Sequence, residues 1–350
     1  MTKVLLQDVA REANTSVATV SRVLNGRSLD RIPPPTRQRV QATADRLGYT
    51  VNHVARAMRT KRTMVIGVSV QDISAVNTAQ LVEQIEYQSS EAGFEVLLGI
   101  ERGRPLVELQ RLRDRQVDGL ILIRGAHIHD PDRVIDRLAT DRFPMVCLGP
   151  QPHADVPALD WDRRAAARDA AAALIERGAR RFLLIGNEPS GGMDQRRQGL
   201  LDAAEAGGVQ LHTAYLADFE SSQRPRHRPI LEPLVELLRT HRPDAVFTQS
   251  EAHAWPTLAA AKRLELAVPG DLKLAALTCA DHAMWHDPPL TDLRIDYRRL
   301  AELALQRLRT IIAAGGPDEA PDTHRVQATV AWRTSTAASS EPDADPEPGD

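Results

Sequence analysis

The stretch from Gln7 to Gly26, QDVAREANTSVATVSRVLNG, constrains this chain more than any other. It reads as two short helices joined by a tight turn. Asp8 to Ala13 forms the first, with Val9 and Ala10 apolar and Asp8 supplying negative charge at the amino end, where the helix dipole favours it. Asn14-Thr15-Ser16 is the turn, and Asn14 is expected at positive φ, which Asn tolerates better than most residues. Val17 to Asn25 forms the second helix, with Val17, Val20 and Leu24 at i, i+3 and i+7. Ser16 caps it by accepting a bond from a free N–H in its first turn, and Asn25-Gly26 provides the exit. Two helices this close make a helix-turn-helix. The small Ala10 lets the helices cross closely and Val20 points inward. The opposite face carries Ala18, Thr19, Ser21, Arg22 and Asn25, groups that fit a major groove. Arg22 can reach guanine O6 and N7 with two bonds. A third helix is expected over Pro35 to Leu47, where Val40, Ala44 and Leu47 close a small core and Gly48 ends the helix.

Charge supports the same division. The net charge of −3 hides twelve basic against four acidic residues in positions 1–62, an excess of +8 that leaves −11 on the rest. A basic head on an acidic body suits a head that docks on phosphates while the body stays off nucleic acid. The 350 residues allow one small and one or two medium domains. Two distant cysteines, Cys147 and Cys279, support no disulfide framework and suit a reducing compartment. No charged-then-apolar leader opens the sequence and no apolar run spans a bilayer, so a cytoplasmic protein without membrane contact is expected. No cofactor and no metal is assigned.

Beyond Met64 the pattern alternates. Expected strands are Met64–Val70, Phe94–Ile100, Val117–Ile123 and Pro144–Gly149, separated by helices over Ala79–Ala92, Leu106–Arg115 and Pro131–Thr140. The pattern restarts with a helix over Arg163–Arg177. Strands over Arg181–Gly186, Leu211–Tyr215, Asp244–Ser250 and Asp271–Thr278 then alternate with helices over Gln195–Ala206, Ile230–Thr240 and Pro256–Leu264. A helix over Tyr297–Ala314 and a last strand over Arg325–Trp332 close the series. Apolar strands alternating with helices indicate parallel sheets covered on both faces. Two doubly wound halves imply two lobes with a ligand cleft between them. The small, acidic, Pro-rich residues 336–350 are expected to be disordered.

The helix-turn-helix, followed by TRQRV (Thr36–Val40), LGY (Leu47–Tyr49), N-x-x-A-R-x-M (Asn52–Met58) and IGV (Ile66–Val68), resembles the lac repressor (LacI/GalR) family of bacterial transcription regulators. The resemblance weakens toward the C-terminus but reaches nearly to it. It implies an all-α helix-turn-helix head (1–48), a hinge helix or linker (49–62), a two-lobed periplasmic-binding-protein-like α/β core (63–335) and the acidic tail (336–350). Strands are expected to cross between the lobes. It further implies that Leu6, Ser16, Val17, Ala18, Thr19, Ser21, Arg22, Asn25, Thr36 and Tyr49 lie at the DNA, with Asn52, Ala55 and Met58 in a hinge helix that enters the minor groove. Met58 stands where the family has a wedging Leu, Val51 where it has Pro, and Ile32-Pro33-Pro34-Pro35 replaces the usual Val-Ser cap of the third helix. No leucine heptads follow the core, so a homodimer on a near-palindromic double-stranded operator is implied.

The ligand site departs from the sugar-responsive pattern. Its usual Pro-Phe-Phe is replaced by Val76, Asn77 and Thr78, its Asn-Asp by Ser250-Glu251, and its Asp pair by Thr278-Cys279. The Arg before Gly is kept as Arg196 with Gly199, and Pro288-Pro289-Leu290-Thr291 stands intact. Asp72, Asn77, Arg196, Ser250 and Thr278 are the candidate effector residues; the alternative for Arg196 is an ordinary helix-surface residue. Loss of the aromatics and the Asp pair argues for an anionic, phosphorylated or otherwise polar effector, such as a sugar acid, or for none. Cys279, Asp281, His282 and His286 have spacing that can hold a transition metal, but are read as a polar cleft rim. His127 with His129 is read as solvent-exposed loop, and Gly186–Gly192 as a connection at the cleft mouth rather than a phosphate cradle. A transcription regulator, most often a repressor in this family, is the reading. A solute-binding protein lacks a reason for the basic head, and an enzyme with a fused head lacks a nucleophile–base arrangement. Activation is left open.

Overall fold

The computed structural model describes residues 4–24, 29–49, 62–71, 73, 76–101, 105–114, 117–124, 133–187, 192–216, 230–278, 281–317 and 323–337. The chain divides into two compact units, Met1–Thr63 and Met64–Asp350. No helix among the described residues is long and apolar enough to cross a membrane.

The first unit holds three helices, α1 (Leu6–Glu12), α2 (Val17–Leu24) and α3 (Pro34–Leu47), with a short 3-10 turn at Leu29–Arg31 in the loop before α3. Val9, Ala13, Val20 and Val40 are fully buried, and Ala10 and Ala44 nearly so. Helix α1 begins two residues before the expected Asp8, because the Asp8 carboxylate accepts a bond from the Leu5 N–H (2.9 Å) and fixes the start. Pro34 and Pro35 occupy the first turn of α3, where their missing N–H groups cost nothing. Gly48 ends α3 at φ 64°, a conformation that suits a residue without Cβ.

The second unit contains two six-stranded sheets. The first, in the order β11-β5-β4-β3-β1-β2, is built from β1 (Val65–Val70), β2 (Glu95–Ile100), β3 (Gly119–Ile123), β4 (Met145–Leu148), β5 (Ala158–Trp161) and β11 (Thr323–Val326), all parallel. The second, in the order β12-β10-β9-β8-β6-β7, contains β6 (Arg181–Gly186), β7 (Gln210–Tyr215), β8 (Ala245–Thr248), β9 (Lys273–Ala276), β10 (Thr291–Arg294) and β12 (Thr329–Ala331). It is parallel except for β12, which runs antiparallel beside β10.

Helices cover both faces of each sheet. On the first, α4 (Val76–Glu91) and α11 (Tyr297–Ala314) pack one face, where Ile85, Leu300 and Leu308 meet Ile66, Val68 and Ile121. Helices α5 (Pro105–Asp114) and α6 (Arg133–Thr140) pack the other through Leu109, Leu112, Ile135 and Leu138. On the second, α7 (Arg163–Glu176) and α8 (Gly192–Gly207) cover one face and α9 (Leu231–His241) and α10 (Glu251–Arg263) the other. Strands buried on both faces must be apolar throughout, which is why RFLLIG and GLILI carry no polar alternation.

Four differences from the sequence expectation have physical causes. Strands β5 (ALDW) and β10 (TDLR) were not expected, because Asp160 and Asp292 interrupt their apolar runs. Each acid is answered by a buried arginine, Arg163 and Arg333 respectively. The single strand expected over Arg325–Trp332 is two: β11 belongs to the first sheet and β12 to the second, with Ala328 packed against the cores of both. The chain thus crosses between lobes three times, after β5, after β10 and between β11 and β12. Helix α10 starts at Glu251 rather than Pro256, so this proline lies inside the helix. Finally, Ser335 and Thr336 are fully buried in the second lobe; residues 338–350 lie outside the described set.

Candidate nucleic-acid interface and candidate ligand site

In the head, local chemistry fixes the outward helix. Ser16 Oγ accepts the Thr19 N–H at 3.1 Å and shares a hydrogen bond with Thr19 Oγ1 at 2.8 Å, which caps α2 as its sequence suggests. Asn14 has φ 46°, the left-handed turn expected of it. Arg39 Nε donates to the Ala13 carbonyl at 2.9 Å, tying α3 to the same turn. With Val20 anchored in the core, Val17, Ala18 and Arg22 are exposed, and Thr19 and Ser21 are half-buried. Leu6 and Tyr49 are half-buried and pack on the head's core, and Thr36 is half-buried in the first turn of α3. Asn25, Asn52, Ala55 and Met58 lie outside the described residues.

In the second unit both sheets reverse their direction of growth at one point, between β1 and β3 and between β6 and β8. Ligands of open α/β sheets bind at the carboxyl ends of strands beside such a reversal. In the second lobe this edge carries Asn187, Gln249, Ser250 and Thr278. The Gln249 side chain accepts the Asn187 N–H at 2.7 Å. Arg196, on α8, is 8% exposed and so is no surface residue; its Nη2 donates to Thr278 Oγ1 at 2.6 Å. The Thr278 hydroxyl in turn donates to the Leu277 carbonyl, and the Thr278 carbonyl accepts the Glu251 N–H at 3.1 Å. Ser250 precedes α10, and its Oγ meets His253 Nδ1 at 3.0 Å. The structure therefore gathers Arg196, Thr278 and Ser250 in one lobe. Asn77 lies in the first turn of α4 in the other lobe, and Asp72 lies outside the described residues.

The corresponding edge of the first lobe holds residues that sequence reasoning missed. Glu101 follows β2 and Arg124 follows β3; both side chains are 2% exposed and paired at 3.1 Å, and Ser69 Oγ on β1 donates to Glu101 at 2.7 Å. Asp160 and Arg163 form a second buried pair beside them, with the Arg163 guanidinium 3.6 Å from the Trp161 ring centre. Burial pulls Arg163 below its ordinary value, and the Asp160 charge opposes that shift. The available signal was a charged residue directly after an apolar strand, as in GI-Glu101 and LI-Arg124.

Cys147 on β4 lies behind this cluster. Burial pushes its thiol up to about 12, against the opposing charge of Arg124. In a Cys279→Ser variant, folded protein is expected to resist iodoacetamide at about pH 8, where an ordinary thiol is partly ionised, and to react after unfolding. Rapid labelling of folded protein would contradict the burial. No group of three His, Cys, Asp or Glu residues among those described is placed to hold a metal ion.

Comparison with known proteins matches residues 5–52 to "Bacterial regulatory proteins, lacI family" and residues 171–336 to "Periplasmic binding protein-like domain". Catabolite control protein A of Staphylococcus epidermidis is 32% identical over 277 residues, covering 77% of this chain and 81% of that protein. The HTH-type transcriptional regulator DegA of Bacillus subtilis is 28% identical over 315 residues, 88% and 90% of the two chains. The lac repressor dimer bound to operator and the anti-inducer ONPF superposes with a TM-score of 0.77 at 21% identity, covering 96% of this chain and all of that one.

Proposed function

The chain belongs to the LacI family of bacterial regulatory proteins, DNA-binding transcriptional regulators with an effector-binding domain and not enzymes, and on that premise we propose that it is a cytoplasmic repressor. It binds a near-palindromic operator as a homodimer, and an effector held between the lobes of the second unit modulates that binding. The observation that carries the reading is α2: a Ser16-capped helix anchored by Val20, presenting Val17, Ala18 and Arg22 outward. That face fits a major groove, with Arg22 reading guanine and the small apolar residues meeting thymine methyl groups. Residues 1–48 form the DNA-binding head, 49–62 the hinge and 63–335 the effector and dimerisation core. Asn25, Asn52, Ala55 and Met58 complete the DNA surface, with Leu6, Ser16, Thr19, Ser21, Thr36 and Tyr49 positioning the head.

Support for self-association comes from the body. Tyr87, Trp255 and Trp285 are 61%, 49% and 80% exposed. Trp255 Nε1 donates to the ring of His286, the residue that follows Trp285 in sequence. Support for a polar or anionic effector comes from Arg196, Thr278 and Ser250 in one lobe and the Glu101–Arg124 pair at the equivalent edge of the other. Asp72 and Asn77 are assigned to the same site. The effector acts by its differential affinity for two lobe arrangements.

Salt-titrated binding of the full protein to its own upstream DNA, against non-specific DNA, tests the regulator reading. Selective binding with a steep salt slope supports it. Arg22→Ala is expected to weaken operator binding about tenfold or more (~1–3 kcal/mol) and to leave non-specific binding much less affected. Equal loss on both DNAs would reduce Arg22 to a phosphate contact. Calorimetry with galacturonate against galactose tests the effector class; tighter binding of the neutral sugar would overturn it.

A further inference from the structure

Met64 is the first residue of the second unit, where the chain enters it from the first. Its φ is 60°, in the left-handed region that residues other than glycine and asparagine rarely occupy. Four other described non-glycine residues share that sign of φ. Asn14 makes the turn between α1 and α2, and Arg142, Arg242 and Glu265 each follow the end of a helix, where a left-handed exit is ordinary. Met64 instead directly precedes a strand, β1.

Three interactions hold it there. The Met64 N–H donates to Asp118 Oδ2 at 2.9 Å. The Met64 carbonyl accepts the Glu95 N–H at 2.9 Å. The Met64 side chain packs, half-buried, on the core of the first lobe. Asp118 is itself fixed, because its own N–H donates to the Val65 carbonyl at 2.7 Å. Glu95 opens β2 and Asp118 immediately precedes β3, the strands on either side of β1. The entry residue is thus tied to one neighbouring strand through backbone and to the lead of the other through a carboxylate.

We propose that Asp118 is a positioning residue for DNA binding: by holding Met64 in its left-handed conformation, it fixes the direction in which residues 49–62 leave the first lobe. A residue that turns the chain and is bonded on both sides has little freedom to swivel, so the chain before it moves with the sheet. A lobe movement driven by an effector is then passed on as a change of direction rather than absorbed in a loose joint. The consequence for DNA rests on the reading of 49–62 as the hinge; the hold of Asp118 on Met64 does not.

The test uses the full-length protein and a duplex selected from random DNA by the wild type, with unselected duplex as control. Asp118→Ala removes the acceptor, whereas Asp118→Asn keeps an amide oxygen for the Met64 N–H. At position 64, Asn adopts a φ near that of Met64 readily and β-branched Val does not. A role confined to packing ranks these two the other way, because Val keeps apolar contact with the core and Asn loses it. The expected result is about tenfold weaker binding to the selected duplex in Asp118→Ala and Met64→Val. Asp118→Asn and Met64→Asn bind it as the wild type does. Binding to unselected duplex, which depends on the charge of the head, is unchanged in every variant. Urea midpoints are measured alongside, and binding is read where each variant is folded, so a loss of stability alone does not register. Wild-type affinity in Asp118→Ala, or tighter binding by Met64→Val than by Met64→Asn, overturns the proposal.

A further variant carries a short flexible Gly-Ser insertion between Lys61 and Arg62, which loosens the joint whatever Asp118 does. If the insertion weakens binding and Asp118→Ala does not, the hinge reading stands and the positioning role is overturned. If the insertion leaves binding to the selected duplex unchanged, the hinge reading fails and the positioning role falls with it. A selection that enriches no sequence removes the regulator reading on which both rest.

Discussion

Replacing Arg333 with Met is expected to lower the stability of the second unit by about 3–5 kcal/mol, as removal of one partner from a buried ion pair does. Arg333 and Asp292 are each 1% exposed and bonded to each other, and Arg333 Nη1 also donates to the Leu290 carbonyl at 2.6 Å. The pair pins a terminal strap to the second lobe. Ser335 Oγ accepts the Thr291 N–H at 2.8 Å and donates to the Leu274 carbonyl at 2.6 Å, while the Leu274 N–H bonds the Ser335 carbonyl at 2.9 Å. Burial already pushes the Asp292 carboxyl up, opposed by the Arg333 hydrogen bond and charge and by Arg294. Without Arg333 that upward shift grows. A carboxyl whose folded value is raised favours the folded state at low pH and loses that advantage as pH rises through the raised value. The deficit of the variant should therefore narrow as pH is lowered toward the carboxylate range. Urea unfolding at several pH values measures this. Adding Asp292→Leu should restore part of the loss, because the isolated charge is then gone. A single variant that unfolds at the wild-type midpoint would show that the strap is held by its backbone and hydroxyl bonds alone.

Gly199→Ala should destabilise the protein and disturb the candidate ligand site together. Helices α7 and α8 pack through small side chains, with Ala166, Ala167, Ala170 and Ala171 facing Leu200, Ala203 and Ala204. A Cβ on Gly199 would lie 2.2 Å from the Arg164 carbonyl oxygen and 3.0 Å from the Arg168 nitrogen. Both are backbone atoms of a helix and cannot rotate away. Alanine in a helix gains about 1 kcal/mol over glycine, but overpacking a tight interface costs about 1–3 kcal/mol. With contacts this short the upper end applies, so the clash wins. Separating the helices also moves Arg196, one turn earlier on α8, from Thr278. The expected outcome is a lower unfolding midpoint and loss of binding by any ligand that uses Arg196, with operator binding by the head retained. A more stable variant would mean that α7 and α8 can slide apart without cost.

Much of the architecture was legible because it rests on local patterns. Strands such as FLLIG and GLILI are apolar on both faces, so sequence alone reads them as interior parallel strands. Strands β5 and β10 were hidden because each contains an acid that interrupts its apolar run; the arginine that answers Asp292 lies 41 residues along the chain, while the one that answers Asp160 follows three residues later, outside the strand. The single terminal strand was misread because no local signal distinguishes a strand that continues from one that changes sheets at Ala328. At the candidate ligand site, Arg196, Ser250 and Thr278 were proposed from the resemblance, and the structure gathers these three in one lobe. Glu101 and Arg124 were missed because each looks like an ordinary charge after a strand, and only the order β2-β1-β3 sets them side by side.

The sequence by itself determined the head: the Ser16 cap, the turn at Asn14, inward Val20 and outward Arg22 all follow from residues within one turn of each other. It likewise determined that the body is layered parallel α/β, since that depends on the period of apolar residues. Tertiary structure alone decided which charges are buried in pairs, where the chain crosses between lobes, and that Asp118 meets Met64 at the start of β1. Apart from the local Asp160–Arg163 pair, those features depend on residues distant in sequence meeting at the edges of the two sheets, and no local propensity encodes such a meeting.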